Sequence, residues 1–184
     1  PPFVRAPAGR QALRPMTRVL SGVVLGVAAL ALIWFLSSIA LLAVALAVAA
    51  LAFTEYEKIV DRIGAKVPFW TALLVTLLSC AMVPFQWLDI SSILAVALLL
   101  IALNVLLSDR VGTPILADTA AAVLAPVYLG LPLGALVGVH AIAGREAVLL
   151  LIATVAVSDT AQFYTGRAFG RTPLAPLRSP KKTR

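Results

Sequence analysis

Asp159 is the residue with the strongest claim to chemistry. It follows the apolar run AVLLLIATVAVS and stands just ahead of a dense set of cations. An ionised carboxylate inside a membrane helix costs about 2.5–3.5 kcal/mol even on insertion scales unless it is paired or bound to a metal. Downstream lie Gln162, Tyr164, Gly166-Arg167, Phe169-Gly170-Arg171 and Ser179-Pro180-Lys181-Lys182-Thr183. A carboxylate followed by Arg and Lys is a set suited to polyphosphates: hard Mg²⁺ takes carboxylate and phosphate oxygens, and guanidinium and ammonium groups neutralise phosphate charge. The plainer alternative for Asp159 is a helix-packing acid paired with Arg167.

If the helix continues past Asp159, Gln162, Phe163 and Gly166 share its face. Gln162 then either orients a substrate or bonds a neighbouring helix. Gly166 and Gly170 are expected where the helix gives way to a loop, so that backbone N–H groups approach an anion; a helix C-cap fits the same residues. Arg167, Arg171, Lys181 and Lys182 are read as phosphate ligands, against the alternative of a polybasic patch on an anionic leaflet.

The ordered series D-T-x-Q-F-Y-x-G-R-x-F-G-R, then Leu174-Ala175-Pro176 and S-P-K-K-T, resembles the phosphatidate cytidylyltransferase (CDP-diacylglycerol synthase) family. The resemblance covers 115–184 well, including Tyr128-Leu-Gly-Leu-Pro-Leu, and the earlier chain as hydropathy. It implies transfer of a cytidylyl group from CTP to phosphatidic acid with Mg²⁺ required, in phospholipid biosynthesis at the inner membrane of a bacterium. Asp159 would be the catalytic and metal-binding residue. Gln162, Arg167, Arg171, Ser179, Lys181, Lys182 and Thr183 would bind substrate. The family continues past this motif with a Gly- and Asp-rich element that supplies further carboxylates. The expectation is therefore that these residues alone are inactive, and that a C-terminal half or a second copy of the chain completes the site.

The elements that must position this motif follow from composition. Hydrophobic residues make up 61% of 184 and charged residues 12%, with a mean hydropathy of +1.02. That balance exceeds what a soluble core with a polar surface accommodates. The apolar runs are continuous, Ala- and Leu-rich, and lack the alternation of a membrane barrel. The reading is an all-α polytopic membrane protein of about six spans: 18–36, 38–54, 68–85, 90–107, 115–139 and 146–164. Residues 1–17 form a basic N-terminal arm without apolar periodicity, 18–165 the transmembrane domain and 166–184 a cytoplasmic basic segment. Between spans two and three, 55–66 continues the helix amphipathically, with Tyr56, Ile59, Val60 and Ile63 inward and Gly64 ending it. Pro126, Pro132 and nearby glycines kink or split span five.

With the N-terminus inside, every Lys and Arg except Arg145 falls on an inner segment, which is the asymmetry that sets membrane orientation. Both termini and the motif then face the cytoplasm.

Other candidates carry less. His140 falls at the outer end of span five and is read as an interfacial histidine. Asp118 opens span five and is read as a helix N-cap or dipole partner, second to Asp159 as a site carboxylate. Glu55, Glu57 and Asp61 make a solvated face. Cys80 alone excludes an internal disulfide. The expected partners are CTP, phosphatidic acid and the bilayer; nucleic acid is not expected, because the basic tail lacks interleaved aromatics. The competing readings are a CTP-dependent polyprenol kinase and a non-catalytic membrane scaffold or transporter subunit.

Overall fold

The computed structural model describes residues 9–86, 89–107, 114–169, 173–175 and 179–183, with side chains described from Leu20 onward outside the two terminal strands. The chain runs α1 (Gly9–Phe35), α2 (Ser38–Arg62), α3 (Phe69–Met82), α4 (Ile90–Leu106), α5 (Pro114–Ala125) and α6 (Leu131–Phe169). A 3₁₀ turn at Val83–Phe85 extends α3, and a π turn at Pro126–Gly130 joins α5 to α6. Two strands follow, β1 (Pro173–Ala175) and β2 (Ser179–Thr183), paired antiparallel with Pro173 opposite Thr183 and Ala175 opposite Ser179. The described chain is thus all-helical, as expected, apart from this short ribbon at its end.

Two helical stretches, Ser38–Arg62 and Ile115–Phe169, are long and apolar enough to cross a membrane. Leu20–Phe35, Phe69–Phe85 and Ile90–Leu106 are shorter apolar helices. The arm expected over 1–17 is helical from Gly9. Gln11, Ala12, Leu13 and Arg14 are good helix formers, and the apolar run behind them supplies the nucleus they need.

At the other end of the first hairpin, α2 stops where its glycine requires. Gly64 has φ 87°; its N–H donates to the Asp61 carbonyl at 3.0 Å and Ala65 N–H to Val60 at 3.3 Å. These are the paired bonds of a Schellman cap. The inward face of this extension is narrower than its periodicity implies. Val60 is buried and Tyr56 packs on the core, but Ile59 and Ile63 are exposed.

Two buried clusters meet on α3. Phe53 of α2 packs with Ala72 and Val75 of α3, Ile101 of α4, and Ala122 and Ala125 of α5. Ile33, Leu42, Cys80, Val137 and Val148 join α1, α2, α3 and α6. The approach of the chain after α5 to α3 is close enough to demand glycine. A Cβ on Gly130 would lie 2.5 Å from the Thr76 carbonyl oxygen, and one on Gly134 2.6 Å from that of Cys80. Small residues that let backbones meet are how membrane helices gain packing when lipid offers no hydrophobic drive.

The kink expected in span five is the π turn, which starts at Pro126. A π turn bonds residues five apart, and here the Leu131 N–H donates to the Pro126 carbonyl. One turn earlier, the phenol of Tyr56 donates to the Ala121 carbonyl at 2.6 Å. A second break lies inside α6, where Gly144 takes φ 83° and ψ 173°, a conformation essentially restricted to glycine. It separates the segments expected as spans five and six.

Candidate functional site

Asp159 and its neighbours stand on the last third of α6. The helix runs without interruption from beyond Gly144 to Phe169, so Asp159, Gln162 and Gly166 do share a face. The helix does not give way at Gly166, whose backbone N–H belongs to a helical turn rather than to an anion cradle. A glycine inside a helix costs about 1 kcal/mol relative to alanine, which the flanking helix formers absorb.

The side chains here are open. From Ala153 through Thr165 every residue is exposed, Asp159 included. Among the described residues Asp159 makes no hydrogen bond or ion pair, and Arg167, eight residues on, does not reach it. Eight residues are about 12 Å along a helix, which separates their backbones by two turns. The packing alternative, an acid paired with Arg167, therefore finds no support. Gln162 Nε2 donates to Ser158 Oγ at 2.9 Å, which orients the amide along the helix beside Asp159. Thr160 and Thr154 return their hydroxyls to the carbonyls of Ala156 and Leu150. Phe163 and Tyr164 meet edge to face at 5.5 Å.

Ser179, Lys181, Lys182 and Thr183 lie on β2, whose backbone comes back beside α6. The strand that carries the second half of the motif therefore touches the helix that carries the first. Gly170 and Arg171 lie outside the described residues. Among the described residues no three His, Cys, Asp or Glu side chains group around a point that could hold an ion. Asp159 can supply one carboxylate. That donor set fits Mg²⁺ held largely by phosphate oxygens and water, its usual mode at nucleotide sites, and does not fit a protein cage.

The other candidates have structural partners. Asp118 is 2% exposed and lies a full turn inside α5, so it is not an N-cap; its Oδ1 accepts the Lys66 backbone N–H at 2.7 Å. Glu55 forms an ion pair with Lys58 at 2.7 Å. His140 is a bridge: one ring nitrogen lies 3.0 Å from Ser38 Oγ and the other 3.1 Å from the Ile33 carbonyl. A carbonyl only accepts, so Nε2 carries the proton and Nδ1 accepts from the Ser38 hydroxyl. Arg145 donates to the Trp34 carbonyl at 3.3 Å and covers the Trp34 ring at 4.4 Å. Together His140 and Arg145 cap two end carbonyls of α1 from α6. Sequence reasoning did not find this bridge or the Tyr56 bond. Tyr56 was visible as an inward-facing residue, but nothing in its spacing names Ala121.

The described structure is an apolar helical scaffold with an exposed carboxylate on α6 and, after it, a ribbon whose sequence is basic. The chain belongs to the cytidylyltransferase family, the family of the CDP-diacylglycerol synthases: the family model matches residues 16–184. That membership makes it a nucleotidyltransferase acting with CTP. No curated protein and no solved structure matches the chain.

Proposed function

We propose that this protein transfers the cytidylyl group of CTP to phosphatidic acid, forming CDP-diacylglycerol and releasing pyrophosphate. The observation that carries the reading is the family motif mounted on α6, with Asp159 exposed and unpaired among the described residues and β2 in contact with the same helix. A phosphate oxygen of the lipid attacks the α-phosphorus, and the bond from that phosphorus to the bridging oxygen of pyrophosphate breaks. The nucleophile is anionic at neutral pH, which removes the need for a Ser, Cys or His activating group. What remains is to hold two polyanions together and to stabilise charge on the leaving group. Arg167, Arg171, Lys181 and Lys182 do this by binding phosphates, Gln162 orients the nucleotide, and Ser179 and Thr183 shape the ribbon around it. Asp159 would hold Mg²⁺, which when bound supplies charge neutralisation on the phosphoryl oxygens.

In this reading the chain crosses the bilayer six times. The helices α1 to α4 each cross once, α5 with α6 up to Gly144 makes the fifth crossing, and the rest of α6 the sixth. The distribution of Lys and Arg supports a cytoplasmic site and cytoplasmic termini.

Isotope position tests the reaction. Membranes containing the protein are given phosphatidic acid or a polyprenol with CTP labelled at the α- or the γ-phosphate. Cytidylyl transfer places the α label, and not the γ label, in the phosphatidic acid fraction. Entry of the γ label into polyprenol makes the protein a kinase, and no label in either lipid, with the chain joined to the C-terminal half expected to complete its site, leaves the scaffold reading.

A further inference from the structure

The two segments of α6 that meet at Gly144 are tied to the same place. α1 ends at Phe35, and the last carbonyls of a helix have no partner within it. From before the break, His140 donates to the Ile33 carbonyl at 3.1 Å. From beyond it, Arg145 donates to the Trp34 carbonyl at 3.3 Å. Consecutive carbonyls at the end of one helix therefore hold one residue from each side of the break.

Gly144 itself supplies no such constraint. At φ 83° and ψ 173° it has the conformational freedom of a residue without a Cβ, so side chains must fix the angle between the two segments. In the first turns beyond the break Val148 is buried, with Leu149 and Ile152 packed on the same cluster. From Ala153 through Thr165 every residue is exposed. Apolar contacts are non-directional and allow the segment to turn about the point where they meet. The Arg145 guanidinium is a planar fork and is held in three directions. It covers the Trp34 ring at 4.4 Å, its Nη1 reaches the Trp34 carbonyl, and its Nε donates to Glu146 Oε1 at 3.3 Å. Fixing that plane fixes the turn that carries it.

We infer that Arg145 is a positioning residue for Asp159: it locks the segment beyond Gly144 to the end of α1 and so holds the carboxylate in place relative to the other helices. Arg145 lies fourteen residues before Asp159, about 21 Å along a helix, and acts through the helix rather than on a substrate. The inference rests on the role assigned to Asp159 above.

Distance measurements together with kinetics test it. Bioorthogonal spin labels at Ile59 and Ala161, both exposed, report the separation of α2 from the last part of α6 by double electron–electron resonance and leave the buried Cys80 unlabelled. In nanodiscs, Arg145→Ala should widen that distance distribution about twofold, as loss of a constraint at a hinge does. The distribution between Ile59 and Ala141, an exposed position before the break, should not change. Arg145→Lys keeps a cation for the ring and a donor for the carbonyl, and should restore most of the narrow distribution. In the complete enzyme, Arg145→Ala should lower kcat about tenfold, within the range lost on small misplacements of a reacting group. KM for CTP should change less than about twofold, because Gln162 and Arg167 are carried on the same segment as Asp159. A lower melting temperature with distances and kcat unchanged overturns the inference and leaves Arg145 a helix cap. A widened distribution with kcat unchanged overturns it as well, since the carboxylate then works wherever the segment carries it. Absence of cytidylyl transfer in the parent enzyme sinks the proposed reaction instead, and the distances alone then decide whether Arg145 holds the segment.

Discussion

The buried carboxylate of Asp118 accepts the backbone N–H of Lys66 at 2.7 Å, so an acid on α5 fixes the loop that leads from α2 into α3. The loop has just left its helix through the Gly64 cap, and an unpartnered N–H there would face the core. Asp118→Ala should destabilise the protein by about 1–3 kcal/mol, the cost of leaving such a donor unsatisfied. Asp118→Asn keeps an acceptor and should lose much less. Thermal unfolding in detergent measures the difference; equal losses from both variants would show that the bond does not matter.

Gly130 lets the π turn rest on α3. Gly130→Ala places a methyl group 2.5 Å from the Thr76 carbonyl oxygen, and backbone on both sides has to move. The expected cost is about 1–3 kcal/mol, the range for overpacking. Gly26→Ala is the control, since a Cβ there meets nothing within 4 Å, and it should be neutral or stabilising by the usual helix propensity.

Ser38 and His140 are 102 residues apart in sequence and hydrogen-bonded at 3.0 Å. Ser38→Ala and His140→Ala should therefore be non-additive, with an interaction energy of about 0.5–1.5 kcal/mol in a double-mutant cycle. His140→Ala should cost more alone, because it also uncaps the Ile33 carbonyl. Strict additivity would mean that the two side chains are not coupled.

Asp159 carries the assigned chemistry and none of the packing. In the complete enzyme, Asp159→Asn should lower cytidylyl transfer by at least about a hundredfold, in the range lost when a positioned charge-stabilising group is removed. Because the side chain is exposed and unpaired among the described residues, expression, insertion and melting temperature should be unchanged. Gln162→Ala should raise KM for CTP more than it lowers kcat. Substantial turnover in Asp159→Asn would reassign the carboxylate.

Local signals in the sequence carried the helices well. The end of α2 was legible because a glycine stood where the apolar pattern ran out, and the break after α5 because Pro126 cannot bond backward. The start of α1 was not, since helix propensity without periodicity gives no boundary when a strong helix lies next to it. Gly166 misled for the converse reason: glycine permits a loop without requiring one, and α6 had enough helix formers on both sides to continue. The motif around Asp159 was readable from residue order alone. The roles of Asp118, Tyr56 and His140 were not, because each depends on a backbone group from a distant segment, and backbone carbonyls and amides leave no trace in residue identity.

Gly144 sets the direction in which the rest of α6 departs. Asp159 stands fifteen residues beyond it, about 22 Å along the helix, and little of that length is held by neighbouring packing. A change of ten degrees at this one backbone position would carry the carboxylate about 4 Å by simple leverage along that rise. The register between acid and basic ribbon survives such a swing, because both are attached beyond the pivot; its depth and bearing relative to the five preceding helices do not.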